Sequence, residues 1–115
     1  MRPALTVTAI ILSSLPIMAF AQGKGIRLWN LTTATMTGFQ LSPAGQNNWG
    51  PNHTLNDKDK ELDHDERLRL TGVEPGRYDA KVSYAGSRQC IVRDLDIKVD
   101  AVVSVADKDL KECTK

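Results

Sequence analysis

The chain has 115 residues, 15 basic and 14 acidic, with a net charge of +1. That length holds one modest domain. The near-neutral balance gives nucleic acid or an anionic membrane surface nothing to recognise. In chain order, the first element is a targeting segment. Arg2 precedes an uncharged apolar run from Ala4 to Phe20, and Ala19-Phe20-Ala21 supplies the small residues of a cleavage site. This layout predicts a cleavable signal peptide at residues 1–21 and a single mature domain at residues 22–115. It also predicts a periplasmic or secreted location, with no membrane span after cleavage. No Arg-Arg pair precedes the apolar run, which disfavours the twin-arginine route.

The mature sequence is written in period two. Gly25 to Leu31 and Met36 to Ser42 read as two strands around Thr32-Thr33-Ala34-Thr35. Arg67-Leu68-Arg69-Leu70-Thr71 sets both leucines on one face and both arginines on the other. Tyr78, Ala80, Val82 and Tyr84 alternate with charged or polar residues, and so do Leu95, Ile97 and Val99. Each run carries the signature of a strand with one wet face. Cys90 and Val92 keep the even phase while Leu95 onward keeps the odd one, so a bulge or a break is expected near Arg93. Val102 to Ala106 is a further short strand. Turns fall at Gly72–Gly76 and Tyr84–Ser87, and Asp107–Lys115 supports no more than one helical turn. Six or seven short strands with Gly- and Pro-bearing turns predict an all-β fold, a small antiparallel β-sandwich, with a small β-barrel as the alternative.

Cys90 and Cys113 are the only cysteines. An even count in an exported chain predicts one disulfide, the alternative being two buried thiols. Trp29 is read as a core residue of its strand. The least regular stretch, residues 43–65, is long for a structureless loop, and such loops are commonly functional.

The segments LSPAGQNNWGPN, LNDKD and LTGVEPGRYDAKV, with a closing Asp-Leu-x-x-Cys, carry a resemblance. Together they resemble a group of small exported proteobacterial proteins of unknown function, over nearly the whole mature chain. The resemblance implies no activity.

Three sets of residues are candidates for chemistry. Asp57, Asp59, Glu61, Asp63 and Asp65 occupy alternate positions, and hard cations such as Ca²⁺ or a lanthanide take several carboxylate oxygens. Leu62 and Leu68 stand where an EF-type loop needs its Gly and its bidentate Glu, which excludes an EF-hand and leaves an irregular site. The alternative is a solvated acidic turn balanced by Lys58, Lys60, Arg67 and Arg69. Trp49, Asn52 and His53 lie in the irregular loop, where an exposed Trp serves as a contact anchor. The alternative is a loop pinned by its own Trp. His53 and His64 are the only histidines, too few for a Zn²⁺ site without other ligands, and are read as exposed loop residues. Asn30-Leu31-Thr32 and Asn52-His53-Thr54 match the glycosylation sequon, with no use expected in a bacterial protein.

No Gly-x-Ser-x-Gly elbow, free thiolate or phosphate loop is present, so no enzyme is expected. The expected function is an exported, non-catalytic binding module that takes another periplasmic protein or a small ligand through the 43–65 loop. The alternative is a periplasmic metal-binding protein that uses residues 57–66. No cofactor other than a hard cation is suggested.

Overall fold

A computed structural model describes residues 23–114; the expected signal peptide at 1–21 lies outside the described residues. The protein is all-β, with six strands in two three-stranded sheets that form a small β-sandwich. The strands are β1 (Arg27–Leu31), β2 (Met36–Pro43), β3 (Arg67–Arg69), β4 (Gly76–Tyr84), β5 (Gln89–Ile97) and β6 (Val102–Ala106). One sheet has the order β3-β1-β6 and the other β2-β4-β5. Among the described residues there is no α-helix, only 3-10 turns at His53–Asn56, Ala85–Ser87 and Asp107–Asp109.

The period-two pattern fixes which side chains face inward. Leu28 of β1, Leu68 of β3, and Val103 and Val105 of β6 meet Phe39 and Leu41 of β2, Ala80 and Val82 of β4, and Val92 and Ile97 of β5. Each large apolar side chain so enclosed contributes about 1.5–3 kcal/mol of burial free energy. Phe39, Leu28 and Val82 are completely enclosed.

One strand pair departs from the expected antiparallel arrangement: β1 and β6 run parallel, with Leu28 beside Val103 and Asn30 beside Val105. The cause is topological. Only β4 and β5 form a hairpin, while every other connection crosses from one sheet to the other. The first crossing is held by Asn30, a fully enclosed amide with all of its hydrogen-bonding capacity used. Its Oδ1 accepts from Thr32 N and Thr32 Oγ1, at 2.9 and 2.6 Å, and its Nδ2 donates to Ala34 O and Leu62 O.

The phase break near Arg93 is a bulge within one continuous strand. Tyr78 pairs with Leu95 and Ala80 with Val92, so Asp79 alone faces Arg93 and Asp94. Asp94 takes a positive φ of 58°, as the extra residue of a bulge often must. Asp79 replaces the lost ladder bond with its own carboxylate. Its Oδ1 accepts from Asp94 N at 2.9 Å, and its Oδ2 accepts from Gly45 N at 2.9 Å and from Arg93 Nη1 at 3.0 Å.

Trp29 is not core. It alternates with Leu28 and therefore lies on the outer face of the β3-β1-β6 sheet, half-buried. The Arg67 guanidinium covers its ring at 4.0 Å, and its Nε1 donates to the Asp65 carboxylate at 3.0 Å.

Candidate functional site

The disulfide is present between Cys90 and Cys113. It ties the C-terminal segment to the start of β5. Ile91 and Lys111 exchange both backbone hydrogen bonds at 2.7 Å, and Thr114 N donates to Gln89 O at 2.7 Å. The Arg93 guanidinium, already on Asp79, also grips both carboxylate oxygens of Glu112 at 2.9 Å. These partners push the Arg93 pKa further up and hold the Glu112 carboxyl down.

The acidic segment does not gather into a ring. Asp57 Oδ2 accepts from Asp59 N, Asp63 Oδ1 from Thr35 Oγ1, and Asp65 Oδ1 from Trp29 Nε1. Glu66 Oε1 accepts from Asp63 N. Glu61 is exposed, and Leu62 turns inward to complete enclosure. Among the described residues, no three His, Cys, Asp or Glu side chains converge on a point suited to a metal ion. Alternate spacing along a chain that turns repeatedly sends each carboxylate to a different donor.

The 43–65 loop folds onto the free edge of β2. Gly50 N donates to Leu41 O at 2.9 Å, and Met36 and Leu62 exchange backbone bonds at 2.8 and 2.9 Å. Between these contacts, Asn52 acts as a strand substitute. Its Oδ1 accepts from Phe39 N at 2.9 Å, and its Nδ2 and the Thr54 hydroxyl both donate to Thr37 O. Trp49 is half-buried, with the Lys81 ammonium 4.9 Å from its ring centre. Trp49 and Asn52 therefore serve first to fasten the loop.

His53 differs from the expected exposed residue. It is only 5% exposed, enclosed at the start of the 3-10 turn that Asn52 caps. Its imidazole has no hydrogen-bond partner among the described residues. Burial lowers its pKa below the ordinary 6.5, so the ring is held neutral. His64 is exposed, as expected, and its Nδ1 donates to Thr32 O at 2.8 Å.

His53 lines a cleft of about 250 Å³ with Leu41, Pro51, Thr71, Gly72, Val73 and Tyr78. The loop and β2 make one wall, and the β3–β4 connection makes the other. Tyr78 stiffens that second wall by donating from its hydroxyl to Glu74 O at 2.7 Å. Thr71, Gly72, Val73 and Tyr78 gave no site signal in the sequence, because only the fold brings that turn against the loop. A second cleft of about 370 Å³ lies between β5 and β6, lined by Val92, Arg93, Leu95, Ser104, Lys108, Asp109 and Lys111.

No family model, no curated protein and no solved structure matches the chain.

Proposed function

We propose that this is an exported, non-catalytic binding module that takes a small ligand in the cleft between the 43–65 loop and the β3–β4 connection. The observation that carries the reading is His53: a polar ring, 5% exposed and without a partner among the described residues, on the wall of an open cleft. A buried polar group left unpaired costs on the order of 1–3 kcal/mol, and a ligand that hydrogen-bonds the ring recovers it. The remaining walls are mostly apolar, and apolar cavities of about 150 Å³ already hold benzene. The fitting ligand has a single ring or a short aliphatic body and one protic head group for the imidazole. Thr71 offers a hydroxyl on the opposite wall. The disulfide fits an oxidising, extracytoplasmic location.

Phenol and benzoic acid are the probes, titrated into the oxidised protein. Saturable movement of the His53 ring signals in NMR, with a concentration-dependent rise in Tm, is the expected result. Cyclohexane, which has no protic group, should bind more weakly than phenol. The reading fails if neither probe moves the His53 signals or the Tm at millimolar concentration.

A further inference from the structure

The two sheets have four edges; two are closed or too short to matter, and a third is closed along only part of its length. The β2 edge is covered by Gly50, Asn52, Thr54 and Leu62. The β3 edge is three residues long and carries Arg67 and Arg69. The first half of the β5 edge is covered by Lys111 and Thr114. From Arg93 to Ile97, however, the outer edge of β5 has no backbone partner among the described residues. Neither has the outer edge of β6, which pairs only with β1. The 370 Å³ cleft lies between these two bare edges.

β6 reads Val-Val-Ser-Val-Ala and has no charge, proline or bulge to discourage pairing. Natural edges normally carry such guards, so a bare, β-branched edge is a template for another strand. The cleft beside it has an apolar side, Val92 and Leu95, and a basic rim, Lys108 and Lys111. Arg93 is already held by Asp79 and Glu112. Asp109, the one acid in the lining, accepts from Ala106 N at 2.9 Å and pairs with Lys108 at 3.3 Å. Lys108 keeps 83% of its side chain exposed, and among the described residues no carboxylate lies within ion-pair distance of Lys111.

We infer that the cleft between β5 and β6 accepts an extended peptide strand from another protein, one that alternates apolar and acidic side chains. Its backbone pairs with the bare edge of β6. Its apolar side chains enter the cleft beside Val92 and Leu95, and its carboxylates meet Lys108 and Lys111. Strand addition of this kind takes affinity from main-chain bonds and specificity from alternate side chains.

The test uses the oxidised protein and a capped octapeptide that alternates valine and glutamate. The expected result is saturable binding that slows hydrogen exchange at amides of β6. A matching valine–lysine peptide, and the acidic peptide with proline at its centre, should each bind at least tenfold more weakly. The doubly substituted K108E/K111E protein, whose changes fall on exposed side chains, should lose at least tenfold for the acidic peptide. Circular dichroism and the disulfide check that its fold is retained. Three results overturn the proposal: no binding of the acidic peptide, binding that leaves β6 amides unprotected, or equal binding of the basic peptide. A fourth is concentration-dependent dimerisation of the free protein that protects the same amides, which would assign the edge to a second copy.

Discussion

The edge of β2 and the edges of β5 and β6 solve the same problem in opposite ways. Both begin as rows of backbone groups at the border of a three-stranded sheet. Along β2 the polar groups of Met36, Thr37, Phe39 and Leu41 are met by Leu62, Asn52, Thr54 and Gly50. Along β5 the backbone cover stops at Ile91, and along β6 only the last N–H, that of Ala106, is met among the described residues, by the Asp109 carboxylate. The covered edge uses more than twenty residues of loop to look irregular while behaving as a strand. The open edge has only a short C-terminal segment, tied down by one disulfide. An irregular loop is thus the well-fastened part of this molecule, and a regular strand is the part left available.

The largest expected effect comes from untying the C-terminal cover. Converting Cys90 and Cys113 to alanine releases the constraint on a loop spanning 23 residues. The expected loss is about 3 kcal/mol in denaturant unfolding, from the freed chain entropy of the unfolded state. Hydrogen exchange should speed up at Ile91 more than at Phe39, because only the first depends on the tail. Equal acceleration at both would show that the two edges are not independently covered.

The next effect centres on Asp79, which joins the covered and open sides by holding Gly45 N on one and Asp94 N and Arg93 on the other. These two backbone N–H groups lower its carboxyl pKa from the ordinary 3.8, Arg93 adds to the effect, and burial opposes it. An unfolded carboxyl takes up its proton near 3.8, while the folded one resists until the pH is lower. The stabilisation is therefore complete above that value and is lost as pH falls through the folded-state pKa. Asp79→Asn should cost about 2 kcal/mol at neutral pH, where charge-assisted bonds become weaker ones. Below pH 4 the gap between variant and wild type should narrow. A gap that stays constant down to pH 2 would mean the carboxylate charge contributes nothing.

Much of the strand pattern was legible because period two maps directly onto buried and exposed faces. The phase flip at Arg93 marked the bulge for the same reason. What could not be read was which sheet each strand joins, since a strand has the same alternation wherever it pairs. Trp29 is misplaced for a different reason: it is read as core because it lies in a strand, whereas its alternation with Leu28 puts it outside. The acidic spacing suggested a cation ring, and the chain instead turns so that Asp57, Asp63 and Asp65 serve separate donors. One signal was present but was matched only to a glycosylation sequon with no expected use. In both Asn-x-Thr triplets the Asn Oδ1 accepts from the N–H of the Thr two residues on, with the Thr hydroxyl also within hydrogen-bond distance. The motif is a local staple in each case, once at the crossing after β1 and once on the β2 edge.

That second staple sets the third prediction. Asn52→Ala removes the acceptor for Phe39 N and one donor to Thr37 O. The Thr54 hydroxyl remains on Thr37 O, so the loss is partial. About 1–2 kcal/mol is expected, from one backbone N–H left unpaired plus a weakened cap. Exchange at the Phe39 amide should rise well beyond that at Val103. An unchanged Phe39 amide would mean water replaces the side chain and the edge is covered less tightly than its geometry implies.

The smallest effect on stability should come from guarding the open edge. Val102 is 40% exposed at the start of β6, beside Arg27 of β1. Val102→Lys adds a charge at a position that buries little, so unfolding free energy should stay within about 0.5 kcal/mol of wild type. The lysine brings to β6 the kind of charge that Arg67 and Arg69 already give β3. Nothing changes inside the sandwich, because Val103 and Val105 keep the inward positions. Aggregation of concentrated protein on prolonged incubation should slow, since an unguarded strand is the natural site of edge-to-edge pairing. The same substitution on a covered edge should have no such consequence. Gln40→Lys on β2, where the Gln40 amide donates to Gly50 O at 3.0 Å, supplies that control. If light scattering shows the two lysines suppressing aggregation equally, net charge is the cause, and the β6 edge has no special exposure. If only Val102→Lys acts, the vulnerable edge of this sandwich is the one its C-terminal segment leaves uncovered.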